Sequence, residues 1–146
     1  MNTPPAPGFI RHPLLSAVGL DHGFGTRSAS PPEGLSRPRQ VHGIGVARVI
    51  APGRLDVEEA DAAVSDRPGA GVGIVTADCV PILIAHPAPC IAVVHAGRVG
   101  TQNQITQKTL QCLKTRYGIL EGFHIGFGPA ICKTCYEIDP LKHQHM

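Results

Sequence analysis

The apolar positions fall in short runs separated by breakers. Between residues 43 and 96 the runs are β-like: 46–50, a short one at 61–65, then 72–76, 80–85 and 91–95, each bounded by Gly, Pro or Asp. Apolar, β-branched runs of this length fit strands buried on both faces better than helices. One helical period follows. Starting at Thr101 or Gln102 and ending at Tyr117, it places Ile105, Thr109, Cys112, Leu113 and Arg116/Tyr117 on one face. Thr101 is a suitable start and Gly118 a suitable left-handed stop. Residues 123–127 read as a last strand, running into Gly128-Pro129. Strands, one helix and a closing strand predict an α+β or α/β domain. Pro4, Pro5, Pro7 and Pro13 predict a loose arm over 1–13, and 28–40 reads as a surface loop. Residues 139–146, with His143 and His145, read as a frayed tail.

Composition narrows the class. A chain of 146 residues is expected to form a single domain, 1–146. With 42% hydrophobic and 16% charged residues it is no disordered chain. Aromatics are only 4%, too few for a base-stacking surface, and net charge is +2 with no run of three Lys or Arg. Nucleic-acid partners are therefore not expected. The apolar stretch 14–20 is too short to span a bilayer and lacks the flanks of a signal peptide. Five cysteines, an odd number, fit reduced thiols in the cytoplasm.

Three segments carry candidate chemistry: Gln40-Val41-His42-Gly43, Thr76-Ala77-Asp78-Cys79-Val80-Pro81 and Val94-His95-Ala96-Gly97-Arg98-Val99-Gly100. Each sets one imidazole or thiol where a run ends. Two His and one Cys with an open position make a catalytic zinc pattern, and the cation would bring a water within reach of ionisation at neutral pH. The separations, 37 residues from His42 to Cys79 and 16 from Cys79 to His95, match no short metal signature. A packed Cys with two satisfied imidazoles remains open, as does a Cys79 nucleophile with His95 as base. Gly97-Arg98-Val99-Gly100 before a helix could hold an anion such as phosphate. Cys132-Lys133-Thr134-Cys135 is a CxxC for which redox use or two ordinary thiols are both open.

Together these segments resemble a known family. His22-Gly23-Phe24-Gly25-Thr26-Arg27, Gln40-Val41-His42-Gly43, Asp61-Ala62, Thr76-Ala77-Asp78-Cys79-Val80-Pro81, His95-Ala96-Gly97, Gly128-Pro129-Ala130-Ile131 and Cys135-Tyr136-Glu137 follow its elements in order. The family is the multicopper polyphenol oxidases (laccases), whose members are now regarded as zinc-dependent purine nucleoside phosphorylases, some with adenosine deaminase activity. The resemblance implies an α/β/β/α sandwich like the catalytic domain of cytotoxic necrotizing factor. It implies zinc on His42, Cys79 and His95, with copper disfavoured by the shortage of further histidines. Nucleoside and phosphate are the implied partners, with a homo-oligomer as one way to complete the pocket. Arg27, Arg98 and the backbone at Gly97 become candidate phosphate contacts, Asp78 a candidate for orienting a ligand, and Glu137 a lesser one. There are departures. Only 12 residues separate Arg27 from Gln40, where the family carries a long segment that helps to form its pocket, and Arg98-Val99 stands where it has Trp-Arg. A non-catalytic, zinc-stabilised remnant and a metal-free Cys–His hydrolase or deamidase are the rival expectations.

Overall fold

The computed structural model describes residues 7–119 and 121–140. In chain order it forms β1 (Phe9–Ile10), α1 (Pro13–Ala17), β2 (Phe24–Gly25), β3 (Val46–Ala51), β4 (Arg54–Leu55), β5 (Ala62–Ser65), β6 (Val80–His86), β7 (Cys90–Ala96), α2 (Arg98–Gln102), α3 (Ile105–Tyr117) and β8 (His124–Phe127). Six strands make one mixed sheet in the order β4-β3-β5-β7-β6-β8. Only β3 and β5 pair in parallel; the other neighbours are antiparallel. This is a mixed α/β domain with one main sheet and few helices.

Four of the predicted runs become central strands for the reason the sequence suggests. Every residue of β5 is buried, and so are most of β6 and β7. Ile82, Ile84, Val64 and Val94 meet Ile105, Leu113 and Ile119 in one core. Burying an Ile or Leu side chain contributes about 1.5–3 kcal/mol, so α3 is held chiefly by Ile105 and Leu113. The buried Thr109 hydroxyl is satisfied by donating to the Ile105 carbonyl at 2.9 Å.

The structure corrects the sequence reading in four places. Residues 72–76 are not a strand: Val72 makes a lone bridge with Ser36. The Leu35 side chain lies where Cβ atoms at Gly71 and Gly73 would stand, at 2.7 and 3.1 Å, and a regular side-chain ladder does not form there. The helix is two helices. The Asn103 side chain donates back to the Val99 carbonyl and Gln104 adopts φ +63°, which ends α2 and restarts the chain as α3. The first of them begins at Arg98, and Thr101 lies inside it, not at its start. Gly118 does close α3 in the left-handed conformation. The described part of the arm, 7–13, is not loose: β1 pairs with β2, and Pro13 opens α1. The rest of that arm, 1–6, and most of the tail, with His143 and His145, lie outside the described residues. Finally, the α/β/β/α layering is not formed among the described residues, which hold one six-stranded sheet and one two-stranded pair. The 12 residues between Arg27 and Gln40 form turn and loop, with isolated bridges at Ser36 and Arg39.

Candidate metal centre

Sheet topology gathers distant residues at one end. β3 runs parallel to β5, so the loop before β3, which holds His42, lies beside Asp61 at the start of β5. Antiparallel pairing sets the end of β7 next to that start, and the His95 N–H donates to the Asp61 carbonyl at 2.7 Å. Val80 pairs with Ala96, which brings Cys79 to the same edge. One ligand atom from each of His42, Cys79 and His95 lies within 4.8 Å of the others. The two rings meet edge-on with centroids 4.9 Å apart. His95 is buried, Cys79 half-buried and His42 exposed.

Asp61 organises the centre. Its carboxylate is fully buried. Oδ1 accepts from the His42 N–H at 2.9 Å and from His95 Nδ1 at 2.8 Å; Oδ2 accepts from Gly43 at 2.8 Å and Val41 at 3.1 Å. Burial pushes this carboxyl up, but the bonds from His95 and the three backbone N–H groups together outweigh it and hold the pKa below the ordinary value. An ionised carboxylate can only accept, so Nδ1 of His95 carries the proton and Nε2 is the nitrogen left for a ligand. The same carboxylate holds His42 in its left-handed backbone, φ +56°, a conformation costing a non-glycine residue roughly 1–2 kcal/mol. Gln40 steadies the loop from the other side, its amide pairing with both N–H and carbonyl of Val75 at 2.7 Å.

The donor set suits a cation. Burial, then the charges of Asp78 and Asp61, push the Cys79 thiol up. A cation bound to a thiol reverses that balance and takes the sulfur as thiolate. Space is reserved as well. A Cβ on Gly97 would stand 3.2 Å from Cys79 Sγ, 3.6 Å from the His42 ring and 3.9 Å from the His95 ring. Ligand atoms of a tetrahedral zinc are roughly 3.3–3.8 Å apart, within small side-chain adjustments of the spacing found. The residues fit a borderline divalent metal such as zinc.

Next to the cluster, on the side of Cys79 and Gly97, lies an open cleft of about 470 Å³. Asp78, Arg98, Lys133 and Tyr136 are among its walls. Arg98 thus reaches the cleft as the first residue of α2. Arg27 is exposed in the turn after β2 and is not part of this wall. Asp78 is exposed at the mouth, where its main-chain carbonyl accepts the Ile131 N–H at 3.0 Å. The carboxylate that holds His95 is that of Asp61; among the described residues, the orienting role expected of Asp78 has no such contact with the three candidate ligands behind it. A charge directly before the wholly apolar run Ala62-Ala63-Val64 was the available signal, since a buried carboxylate needs partners. Glu137 is exposed. Lys133, inside the CxxC, also lines the cleft; the sequence pattern gives it no role.

A His–Cys–His cluster on the end of a mixed sheet, with an aspartate behind it, defines a candidate metalloprotein. Residues 24–146 match the family described as multi-copper polyphenol oxidoreductase laccase, and the chain belongs to that family. It is 40% identical over 104 residues to the purine nucleoside phosphorylase of Deinococcus radiodurans, covering 70% of this chain and 40% of that protein. It is 34% identical over 113 residues to adenosine deaminase RL5 from an unknown prokaryotic organism, covering 71% and 43%. The crystal structure of YlmD from Geobacillus stearothermophilus superposes with a TM-score of 0.65 at 30% identity, over 73% of this chain and 43% of that one. The chain therefore spans about two-fifths of the length of these relatives.

Proposed function

We propose that the chain carries a zinc-dependent purine nucleoside phosphorylase centre, with adenosine deamination as a related activity. The observation that supports it most is the convergence of His42, Cys79 and His95 beside a cleft holding Arg98 and Lys133, in a family whose relatives bear those two names. His42, Cys79 and His95 would hold the metal, which supplies Lewis-acid stabilisation for negative charge developing on the substrate.

In phosphorolysis, an oxygen of inorganic phosphate forms a bond to the anomeric carbon while the N-glycosidic bond breaks. The purine leaves with the electron pair and takes up a proton. Arg98 and Lys133 attract the phosphate to the cleft and offset its charge. Asp61 fixes His95 in one tautomer throughout. Asp78 and Asp61 add the negative charge that favours a cation over a proton at Cys79. The partners of this reading are a purine nucleoside and phosphate, and its setting is the cytoplasm. No helix among the described residues is long and apolar enough to cross a membrane. A second copy of the chain would complete the pocket left open by the short segment between Arg27 and Gln40.

One observation favours a second reading. Cys79, His95 and Asp61 stand in the order of a thiol hydrolase's nucleophile, base and orienting acid. Against it, His42 completes a third ligand position and the Cys79 thiol is pushed up, not down. The test is the purified chain, with zinc, incubated with inosine or adenosine and phosphate, products separated by chromatography. Free base and ribose 1-phosphate from the parent, and none from Cys79→Ala, are expected. Equal turnover by the two proteins overturns the metal-centre reading. A well-folded, zinc-bound parent with no turnover leaves the structural remnant as the better account.

A further inference from the structure

A pair of thiols stands outside the metal centre, in the turn whose Ile131, Lys133 and Tyr136 line the cleft. Cys132 and Cys135 stand at the two ends of a tight turn, closed by the Cys135 N–H donating to the Cys132 carbonyl at 3.1 Å. Both are exposed and their sulfurs are 2.9 Å apart. Cys132 Sγ is also 3.2 Å from the Thr134 hydroxyl. The turn is tied to the metal-ligand loop, because the neighbouring Ile131 donates to the carbonyl of Asp78. Lys133, between the cysteines, and Tyr136, just after them, line the cleft. The other three cysteines differ. Cys90 is buried, and Cys79 and Cys112 are half-buried.

We infer that Cys132 and Cys135 are a redox-active dithiol that exchanges with low-molecular-weight disulfides, Cys132 attacking and Cys135 resolving. The step balances. The Cys132 thiolate forms a bond to one sulfur of a small disulfide RSSR, whose S–S bond breaks and releases RS⁻. Cys135 then gives up its proton, attacks Cys132 Sγ and expels the second RS⁻. Two thiols become one internal disulfide, and RSSR takes up the two electrons and two protons as two RSH. Excess RSH runs the sequence backwards.

The local chemistry suits the attacking role. Hydrogen bonding with the Cys135 thiol and the Thr134 hydroxyl, then with the Cys135 backbone N–H, lowers the Cys132 pKa to about 7. A thiol whose pKa matches ambient pH attacks fastest, because a lower value costs nucleophilicity and a higher one costs thiolate. At pH 7, half of such a thiol is ionised, against roughly 1% of one near pKa 9. A Brønsted slope near ~0.5 returns about tenfold of that gain and leaves about fivefold in rate. The resolving sulfur is already within reach, so no chain movement is needed to close the ring.

The experiment uses the full reduced chain equilibrated with a series of oxidised and reduced glutathione mixtures. Samples are quenched with an alkylating reagent and read by intact and peptide mass. Expected is an internal disulfide, seen as the loss of two hydrogens confined to the peptide containing 132–135, that reopens in excess reduced glutathione. Cys135→Ser is expected to accumulate a glutathione adduct on Cys132 instead. Cys132→Ser is expected to form adducts at Cys135 several-fold more slowly than the parent loses free thiol. The sites are exposed, and matching melting curves check that both variants are folded. No internal disulfide at any ratio, or one that involves Cys79, Cys90 or Cys112, overturns the inference. So does a Cys132→Ser chain that reacts as fast as the parent. None of these readouts depends on nucleoside turnover or on zinc.

Discussion

Replacing Asp61 with asparagine changes one heavy atom of a side chain that no solvent reaches, yet it should damage both fold and site. The carboxylate accepts four N–H donors, two on each oxygen. Asparagine keeps one acceptor oxygen and puts an NH₂ in place of the other. If the NH₂ takes the Oδ2 position it opposes the N–H groups of Val41 and Gly43. A buried donor left without an acceptor costs about 1–3 kcal/mol, and water reaches the half-exposed loop in part, so the sum is about 2–4 kcal/mol. If the amide flips, the NH₂ opposes the His42 N–H and the imidazole. His95 then answers by moving its proton to Nε2, which removes it as a ligand. Both orientations therefore weaken the centre, and loss of such an outer partner typically lowers metal affinity by about 10–100-fold. Urea unfolding of the metal-free chain measures the first effect and a competitive zinc titration the second. The domain, worth about 5–15 kcal/mol, should still fold. An Asp61→Asn chain that unfolds at the parental urea concentration and binds zinc equally well refutes the role given to this carboxylate.

Gly97→Ala separates site from fold. Its φ of −76° suits alanine, but the new methyl would stand 3.2 Å from Cys79 Sγ in the space between the ligands. Zinc affinity should fall at least about tenfold while metal-free stability moves by no more than about 1 kcal/mol, read by the same two titrations. Leu15→Ala tests the docking of α1. Leu15 is fully buried against Gly126 of β8, so about 2–4 kcal/mol of stability should go, and an unchanged unfolding midpoint would show that α1 is not docked. Thiol alkylation gives the pH dependence. Thiolate is the reactive form, so the Cys132 rate should be half-maximal near pH 7, falling below it and levelling above, while buried Cys90, pushed up to about 11, stays inert. Peptide mapping against pH checks both.

How much the sequence disclosed depended on how local the signal was. β3, β6 and β7 came from runs of branched apolar residues whose strand pairing the local pattern anticipates. Residues 72–76 have such a run too, but Gly71 and Gly73 are occupied from above by Leu35, a contact 36 and 38 residues distant that no local pattern shows. The break between α2 and α3 was overlooked because the face of α3 is regular enough to extend backwards through Asn103 and Gln104. His42, Cys79 and His95 were legible as residue types at the ends of runs, and their convergence follows from strand order, which spacing alone does not reveal. Asp61 shows the limit most plainly. Asp78 drew notice by standing next to Cys79, whereas Asp61, matched with Ala62 as a family element, was given no role, because its contacts with residues 41–43 and 95 appear only in space.

Cobalt(II) titration of the metal-free chain tests the central claim most directly, because a cobalt–thiolate bond reports its own sulfur ligand by a near-ultraviolet charge-transfer absorption. One equivalent should develop that band together with the visible bands of a tetrahedral ion, and zinc should displace it. Cys79→Ser should abolish the charge-transfer band, and His42→Ala or His95→Ala should weaken binding while the band persists at higher metal. Saturation with an octahedral spectrum and no charge-transfer band, or a band that survives Cys79→Ser, would contradict the His–Cys–His centre.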